Sequence, residues 1–316
     1  MDSLPMKLLV TGGCGYKGSV LVPKLLALGH EVCVVDIQWF GNELPSHAKL
    51  EIIKGDVRDT DVIPLDGVDA IIHLASVAND PCGDLDPKLT WEISALATMR
   101  LADKALRQGV RRIIYASSGS VYGVKAEPQV TENLELEPIT EYNKTKMVAE
   151  RVLLSYSKEM AIQIVRPATV CGVSPRMRLD VAVNMLTMQA LTNGRITVFG
   201  GDQVRPNIHI DDITDLYIYL LDHPELTGVY NAGFENISIR EIAERVVHII
   251  PAEIVYTPSN DPRSYRQNSD KLMAAGFRPR KTVDDAISEI VAAYQRGVLK
   301  DQDRWHNLRW MQKARS

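Results

Sequence analysis

Through the first half of the chain, short apolar runs alternate with longer stretches in which apolar residues recur every three or four positions. Runs at 8–11, 32–36, 50–54, 70–74, 112–117 and 163–167 predict strands. The stretches 19–28, 90–108 and 141–158 predict helices. Strand, helix, strand in repetition predicts an α/β fold, a doubly wound parallel sheet with helices on both faces. The second half is less regular. Residues 174–180 read as a loop and 196–199 as a short strand, while 182–192, 211–221, 238–249 and 284–296 read as helices. Ser238 with Glu241 three residues on predicts a capping box. Phe277-Arg278-Pro279 breaks the pattern, and the tail 301–316 either packs back on the body or frays.

The first strand–helix junction carries chemistry. Thr11-Gly12-Gly13-Cys14-Gly15-Tyr16-Lys17-Gly18 follows the run 8–11, and Asp36 ends the next apolar run. Glycine turn, helix, strand, acid is the layout of a dinucleotide site on a Rossmann-type sheet. Gly12 suits the tight turn, Gly15 admits a pyrophosphate, and Gly18 lets helix and strand approach. Tyr16 and Lys17 lie at the helix N-terminus, whose unpaired N–H groups attract phosphate. Asp36 can accept bonds from both adenosine ribose hydroxyls and would repel a 2′-phosphate, so the expected cofactor is NAD.

Composition narrows the class only a little. The chain has 316 residues, 45% hydrophobic and 24% charged, as for an ordinary globular protein. A net charge of -4 gives no electrostatic case for nucleic acid or an anionic membrane. No apolar run is long enough for a transmembrane helix, and no signal peptide is legible, so a cytoplasmic location is expected. Cys14, Cys33, Cys82 and Cys171 are scattered without a CxxC, which points away from a metal site. Cys171 reads as a core thiol, or else as a second acid/base.

Tyr142 and Lys146 stand four residues apart in a predicted helix, hence on one face. An ammonium beside a phenol favours the phenolate and fits Tyr142 for acid–base work. Ser117 ends the run 112–117 and Ser118 and Ser120 follow it, so their hydroxyls stand at a strand's C-terminal end, where open parallel sheets bind ligands.

With Gly55-Asp56-Val57, His73-Leu74-Ala75, Tyr122-Gly123 and Arg166-Pro167, these motifs occur in an order that resembles the extended short-chain dehydrogenase/reductases, specifically the NAD-dependent nucleotide-sugar epimerase/dehydratase group, over about residues 6–295. The resemblance implies that Ser118 orients a sugar and that Tyr142 takes a proton from a hydroxyl, usually at C4. It implies that Lys146 holds the nicotinamide ribose. Asp56 and Val57 would flank adenine. Leu74, Ala75, Ser76, Ser117, Pro167 and Val170 would line the rest of the cofactor. Ser120, Thr169, Arg178, Asn184, Arg205 and Arg263 would meet the nucleotide-diphosphate sugar. The stretch 166–180 and Asp261-Pro262-Arg263-Ser264-Tyr265 resemble a narrower branch of GDP-heptose C4 dehydrogenases.

The resemblance also implies a smaller substrate-binding domain and a homodimer through the helices 90–108 and 141–158. The expected division is 1–167 plus about 203–228 for NAD, 168–202 plus 229–295 for substrate, and 296–316 as a tail. Some positions depart from the group. Gly119 and Ser120 replace the Asp-Glu pair of the dehydratases, which disfavours dehydration. Ser94 and Thr169 stand where Asn is common, and Lys17 where an apolar residue is usual. The expected activity is oxidation at C4, most simply as a 4-epimerase. A C4 dehydrogenase or 4-ketoreductase uses the same residues, and a non-catalytic dinucleotide-binding scaffold is the reading from another class.

Overall fold

The computed structural model describes residues 4–259 and 264–314. The first apolar run forms β1 (Lys7–Thr11), and the glycine turn leads into α1 (Gly18–Ala27). β2 (Glu31–Asp36), β3 (Leu50–Lys54) and β4 (Ala70–His73) follow. Short helices α2 (Asp80–Leu85) and α3 (Pro87–Trp91) lead through a π turn (Glu92–Leu96) into α4 (Ala97–Arg107). Then come β5 (Arg112–Ala116), α5 (Glu141–Ser155) and β6 (Ala161–Pro167). Beyond them lie β7 (Thr169–Cys171), α6 (Ala182–Asn193), β8 (Arg195–Phe199), β9 (Val204–His209), α7 (Ile210–Asp222) and β10 (Gly228–Ala232). The chain continues with β11 (Glu235–Ser238), α8 (Ile239–Ile249), β12 (Glu253–Thr257), α9 (Asp270–Ala274), α10 (Val283–Gln295) and α11 (Asn307–Lys313).

Seven parallel strands make the main sheet in the order β10-β6-β5-β4-β1-β2-β3, which establishes the Rossmann-type α/β fold. Its core sits on both faces because strand side chains alternate. Leu8, Val10, Val34, Ile72 and Ile114 face one way, against α1 and α7. Leu9, Cys33, Val35, Ile71 and Ile113 face the other, against α4 and α5. The apolar runs are continuous because both faces are buried. β1 lies between β2 and β4, so strand order reverses there, and the C-terminal ends of β1 and β4 open a crevice.

The rest of the chain builds two smaller sheets, β11-β9-β7 and β12-β8. α6, α8 and α10 share an apolar cluster with β8. β10 pairs with β6 along its whole length, from Gly228↔Gln163 to Ala232↔Pro167, so the return to the main sheet extends past residue 228. At Ser238 only half of the predicted capping box forms. The Ser238 hydroxyl accepts from the Glu241 N–H, but the Glu241 carboxylate pairs with Arg245. The complete box is at Thr282 and Asp285. Within the described residues the tail packs back. Trp310 Nε1 donates to the Trp39 carbonyl at 2.6 Å, and Leu308 and Met311 pack beside Val57 and Ile93. No helix among the described residues is long and apolar enough to cross a membrane.

Candidate active site

A single cleft of about 590 Å³ runs from the ends of β1 and β2 across β5 toward β8. All the residues expected at the cofactor line it, from Gly12 to Val170. At the glycine turn the backbone sets the shape. Gly12 has φ +71°, and a Cβ there would lie 2.6 Å from the Ala75 nitrogen. Gly18 packs on the backbone of Gly13, and a Cβ on Gly13 would press on the Val34 side chain at 2.8 Å. Close packing of helix on strand thus needs both glycines, where the motif pointed to Gly18 alone. Gly15, Tyr16, Lys17 and Gly18, at the N-terminal end of α1, line the cleft where the helix dipole favours a phosphate, while the Ser19 and Leu21 N–H groups are held by the Gly15 and Lys17 carbonyls.

Asp36 ends β2 in the same cleft. Its carboxylate accepts from the backbone of Cys14 at 3.0 Å and of Gln38 at 2.6 Å. Burial nevertheless raises its pKa. An oxygen so held keeps lone pairs for ribose hydroxyls. Asp56, also in the cleft, is gripped by Arg58 at 2.7 Å, which in turn reaches Glu92. Ser94 sits in the π turn, and its hydroxyl meets that of Ser76 at 3.1 Å. This cradle fits a dinucleotide: a phosphate-binding helix end, a buried acid at the second strand and a backbone too close for side chains.

The groups expected to react converge at the end of β5. Ser118 caps a short 3₁₀ turn (Gly119–Tyr122), and Tyr142, in the first turn of α5, lines the same cleft. One turn on, Lys146 donates to the Ala116 carbonyl at 2.8 Å, with Nζ 5.9 Å from the Tyr142 ring centroid. The helical spacing therefore brings the pair together. Its electrostatics differ from the expectation. Burial and the Asp80 charge push the Tyr142 hydroxyl up to about 12. Burial and Lys17 push Lys146 well down from its ordinary value. Desolvation outweighs the mutual help of phenol and ammonium.

A buried network supports the site. Glu150 and Arg166 form an ion pair at 2.6 Å, Ser117 donates to Glu150, and Arg166 reaches the Tyr122 hydroxyl at 2.7 Å. Ser117 is thereby fixed at the cleft wall. His73 lies between Thr11 and Thr98 at 2.5 and 2.9 Å and is held neutral, since burial pushes its pKa down to about 3. Arg178 forms two bonds to Asp180, at 2.9 and 3.1 Å.

Among the residues expected at the substrate, Ser118, Ser120, Tyr142, Thr169, Arg178 and Arg205 line the cleft. Asn184 does not. It is fully buried, and its amide joins Gly172, Tyr16 and the Arg178 carbonyl. It therefore serves to hold the loop that carries Arg178, a correction that follows from both ends of the amide being engaged in the core. Arg263 lies outside the described residues. Cys171 is a core thiol that donates to the Ile208 carbonyl at 3.5 Å, and burial raises its pKa. Asp80, Asn143, Arg176 and Asn307 were missed. Arg176 stacks 4.0 Å from the Phe40 ring centroid and donates to Asn307 at 2.6 Å. Its place after Pro175, two residues from Arg178, was the one available signal; Asn307 offered none.

Residues 8–233 match the NAD dependent epimerase/dehydratase family. The chain belongs to that family. NAD is its cofactor, as the cradle and the family require. The UDP-glucose 4-epimerase of Mycolicibacterium smegmatis is 31% identical over 309 residues, covering 92% of this chain and 99% of the relative. UDP-glucuronic acid decarboxylase 1 of Danio rerio is 27% identical, covering 92% and 73%. The solved structure of MoeE5 with UDP-glucose and NAD is 25% identical and superposes with a TM-score of 0.83 over 93% of this chain and all of that one.

Proposed function

We propose that this family member oxidises C4 of a nucleotide-diphosphate sugar and inverts that centre, as a 4-epimerase. Ser118, Tyr142 and Lys146 at the end of β5 carry the reading, because they face the cofactor cradle within one cleft. NAD, when bound, supplies the hydride acceptor and donor. The protein's own groups do the remaining work. Ser118 orients the sugar hydroxyl, and Tyr142 exchanges the proton at that oxygen. Lys146 holds the cofactor ribose. Arg205 offers a guanidinium to the diphosphate.

Dehydration is disfavoured by space as well as by residue type. A Cβ on Gly119 would lie 3.0 Å from the Gln267 amide oxygen and 3.2 Å from the Pro167 carbonyl. A side chain there would press on the Gln267 amide and the Pro167 backbone. Ser120, at the second position, is spent on Asn143. The exposed apolar side chains Leu96 and Met99, in the π turn and α4, support a homodimer through the helices at 90–108 and 141–158. Light scattering tests that assembly.

The activity test offers UDP-, GDP- and dTDP-sugars, including a GDP-heptose for the narrower branch, and follows product NMR with absorbance at 340 nm. A C4 epimer without free reduced cofactor is the expected result. Keto sugar with stoichiometric reduced cofactor would sink the epimerase reading in favour of a C4 dehydrogenase. Tyr142→Phe should lower kcat by roughly 10²–10⁴-fold. Its NAD affinity, measured by calorimetry, should stay within a few-fold of wild type.

A further inference from the structure

Lys146 is a buried cation without a carboxylate of its own. It is 2% exposed on the inner stripe of α5, where Lys146, Ala149, Glu150 and Leu153 recur at helical spacing. Glu150, one turn on, is committed to Arg166 and Ser117, and among the described residues no carboxylate forms an ion pair with Lys146. The ammonium donates to the Ala116 carbonyl at 2.8 Å. Its other neighbours are rings. Nζ lies over the Tyr115 ring, 4.8 Å from the centroid, and 5.9 Å from the centroid of Tyr142.

Strand alternation puts the Tyr115 ring there. Tyr115 and Ser117 are two residues apart, and the Ser117 N–H still pairs with the Val165 carbonyl of β6, so both side chains point to the α5 face of the sheet. Tyr115 is fully buried between β4 and β6, in register with His73 and Ile164. The His73 ring, neutral and fixed by Thr11 and Thr98, stands 5.5 Å from it at 31°. The Tyr115 oxygen is buried without a hydrogen-bond partner among the described residues, so the hydroxyl adds no bond to Lys146. The ring face does interact, because its quadrupole attracts a cation without accepting a conventional hydrogen bond. An ammonium has three donors and gives one to Ala116, so donors remain for a ligand in the cleft that Lys146 lines.

We propose that Tyr115 is a positioning residue whose ring face holds the Lys146 ammonium at the cleft and leaves its remaining donors to the cofactor ribose. The proposal rests on the reading of Lys146 as the group that holds that ribose. It makes the ring, and not the hydroxyl, the working part of Tyr115. A carboxylate in the same place would accept those donors and cancel the charge beside Tyr142, and a ring does neither. Burial weighs against the charged form of Lys146, and the ring face opposes it. The other groups that act on Lys146 are Glu150 and Tyr142 on α5, Lys17 at the glycine turn and His73 on β4. None of them is altered by a change at Tyr115.

The test reads Lys146 without any sugar. The full chain is prepared with ¹³Cε-lysine and titrated by NMR, and the Lys146 signal is the one missing from Lys146→Met. Tyr115→Phe keeps the ring and removes an unpaired buried hydroxyl. It should leave the Lys146 pKa close to wild type and melt no lower. Mono-, di- and trifluorinated phenylalanine at position 115 keep nearly the same shape while weakening the negative ring face step by step. The Lys146 pKa should fall along that series, by about one unit or more in total. NAD affinity at pH 8, measured by calorimetry, should weaken in the same order. Should the trifluorinated chain fail to fold, the mono- and difluorinated ones decide. A Lys146 pKa or an NAD affinity that ignores the series overturns the proposal. Because no substrate is present, a graded pKa alongside absent sugar turnover would reject the functional reading and leave the contact between Tyr115 and Lys146 standing.

Discussion

Lys17 places a cation inside the cofactor cradle where the motif tolerates an apolar side chain. Its ammonium reaches the Tyr217 hydroxyl at 3.4 Å, and burial with the nearby Arg178 brings its pKa down to about 8. Below that pH the group is charged and favours the cofactor's diphosphate. Above it the group must take up a proton to give the same help. NAD affinity should therefore be flat below about pH 8 and weaken above it, by at most tenfold per pH unit. Lys17→Met should bind more weakly at pH 7 and lose the dependence. Calorimetric titration between pH 7 and 9.5 checks both. Residues of this kind mark the limit of a sequence reading. The four-residue spacing of Tyr142 and Lys146 was legible because helix geometry follows from sequence. The direction of the Tyr142 pKa was not, because it depends on burial and on Asp80, which is remote in sequence and carries no motif.

At the scale of elements, the glycine turn is where geometry is least forgiving. Gly12→Ala forces an L-residue into positive φ, at roughly 1–2 kcal/mol, and drives a methyl into the Ala75 backbone. The variant should melt lower by calorimetry and lose most of its NAD affinity. Gly15→Ala, whose Cβ would meet only the Gly12 carbonyl at 3.2 Å, should melt close to wild type. Five of the six strands β1 to β6 were legible because their runs are buried on both faces; the edge strand β3 is only half-buried and showed through Leu50, Ile52 and Ile53. β7, β9 and β11 were not all legible. They are short, and their partners come from distant segments, as in Thr169↔Asn207 and Glu235↔Asn207. The π turn at Glu92–Leu96 left no trace in periodicity, since it adds one residue to a single turn.

Across the whole molecule, α11 joins a late segment of the chain to the end of the cleft that holds Asp36 and Trp39, where adenosine is expected. Asn307 lines that cleft and holds Arg176, while Trp310 is bonded to Trp39. Trp310→Ala should leave the main sheet intact, because its core lies on other residues. It should speed NAD release by about tenfold, for a lost half-buried hydrogen bond and its packing. Stopped-flow displacement of the cofactor gives the number, and an unchanged release rate would show that α11 does not retain it. The hydrophobic pattern left open whether this tail packs or frays, because its apolar residues are few and their docking surface is built from several separate segments, among them Trp39, Val57, Val77 and Ile93.

The bond between Trp310 and Trp39 also has a bearing on the order of assembly. Its ends are 271 positions apart. During synthesis every strand of the seven-stranded sheet has left the ribosome before α11 does, since β10 ends at Ala232. The sheet can thus pair on the nascent chain while one wall of the adenosine pocket is still missing. Capture of the dinucleotide becomes a late event, and a fluorescent NAD analogue should load firmly only onto nascent chains from which α11 has emerged.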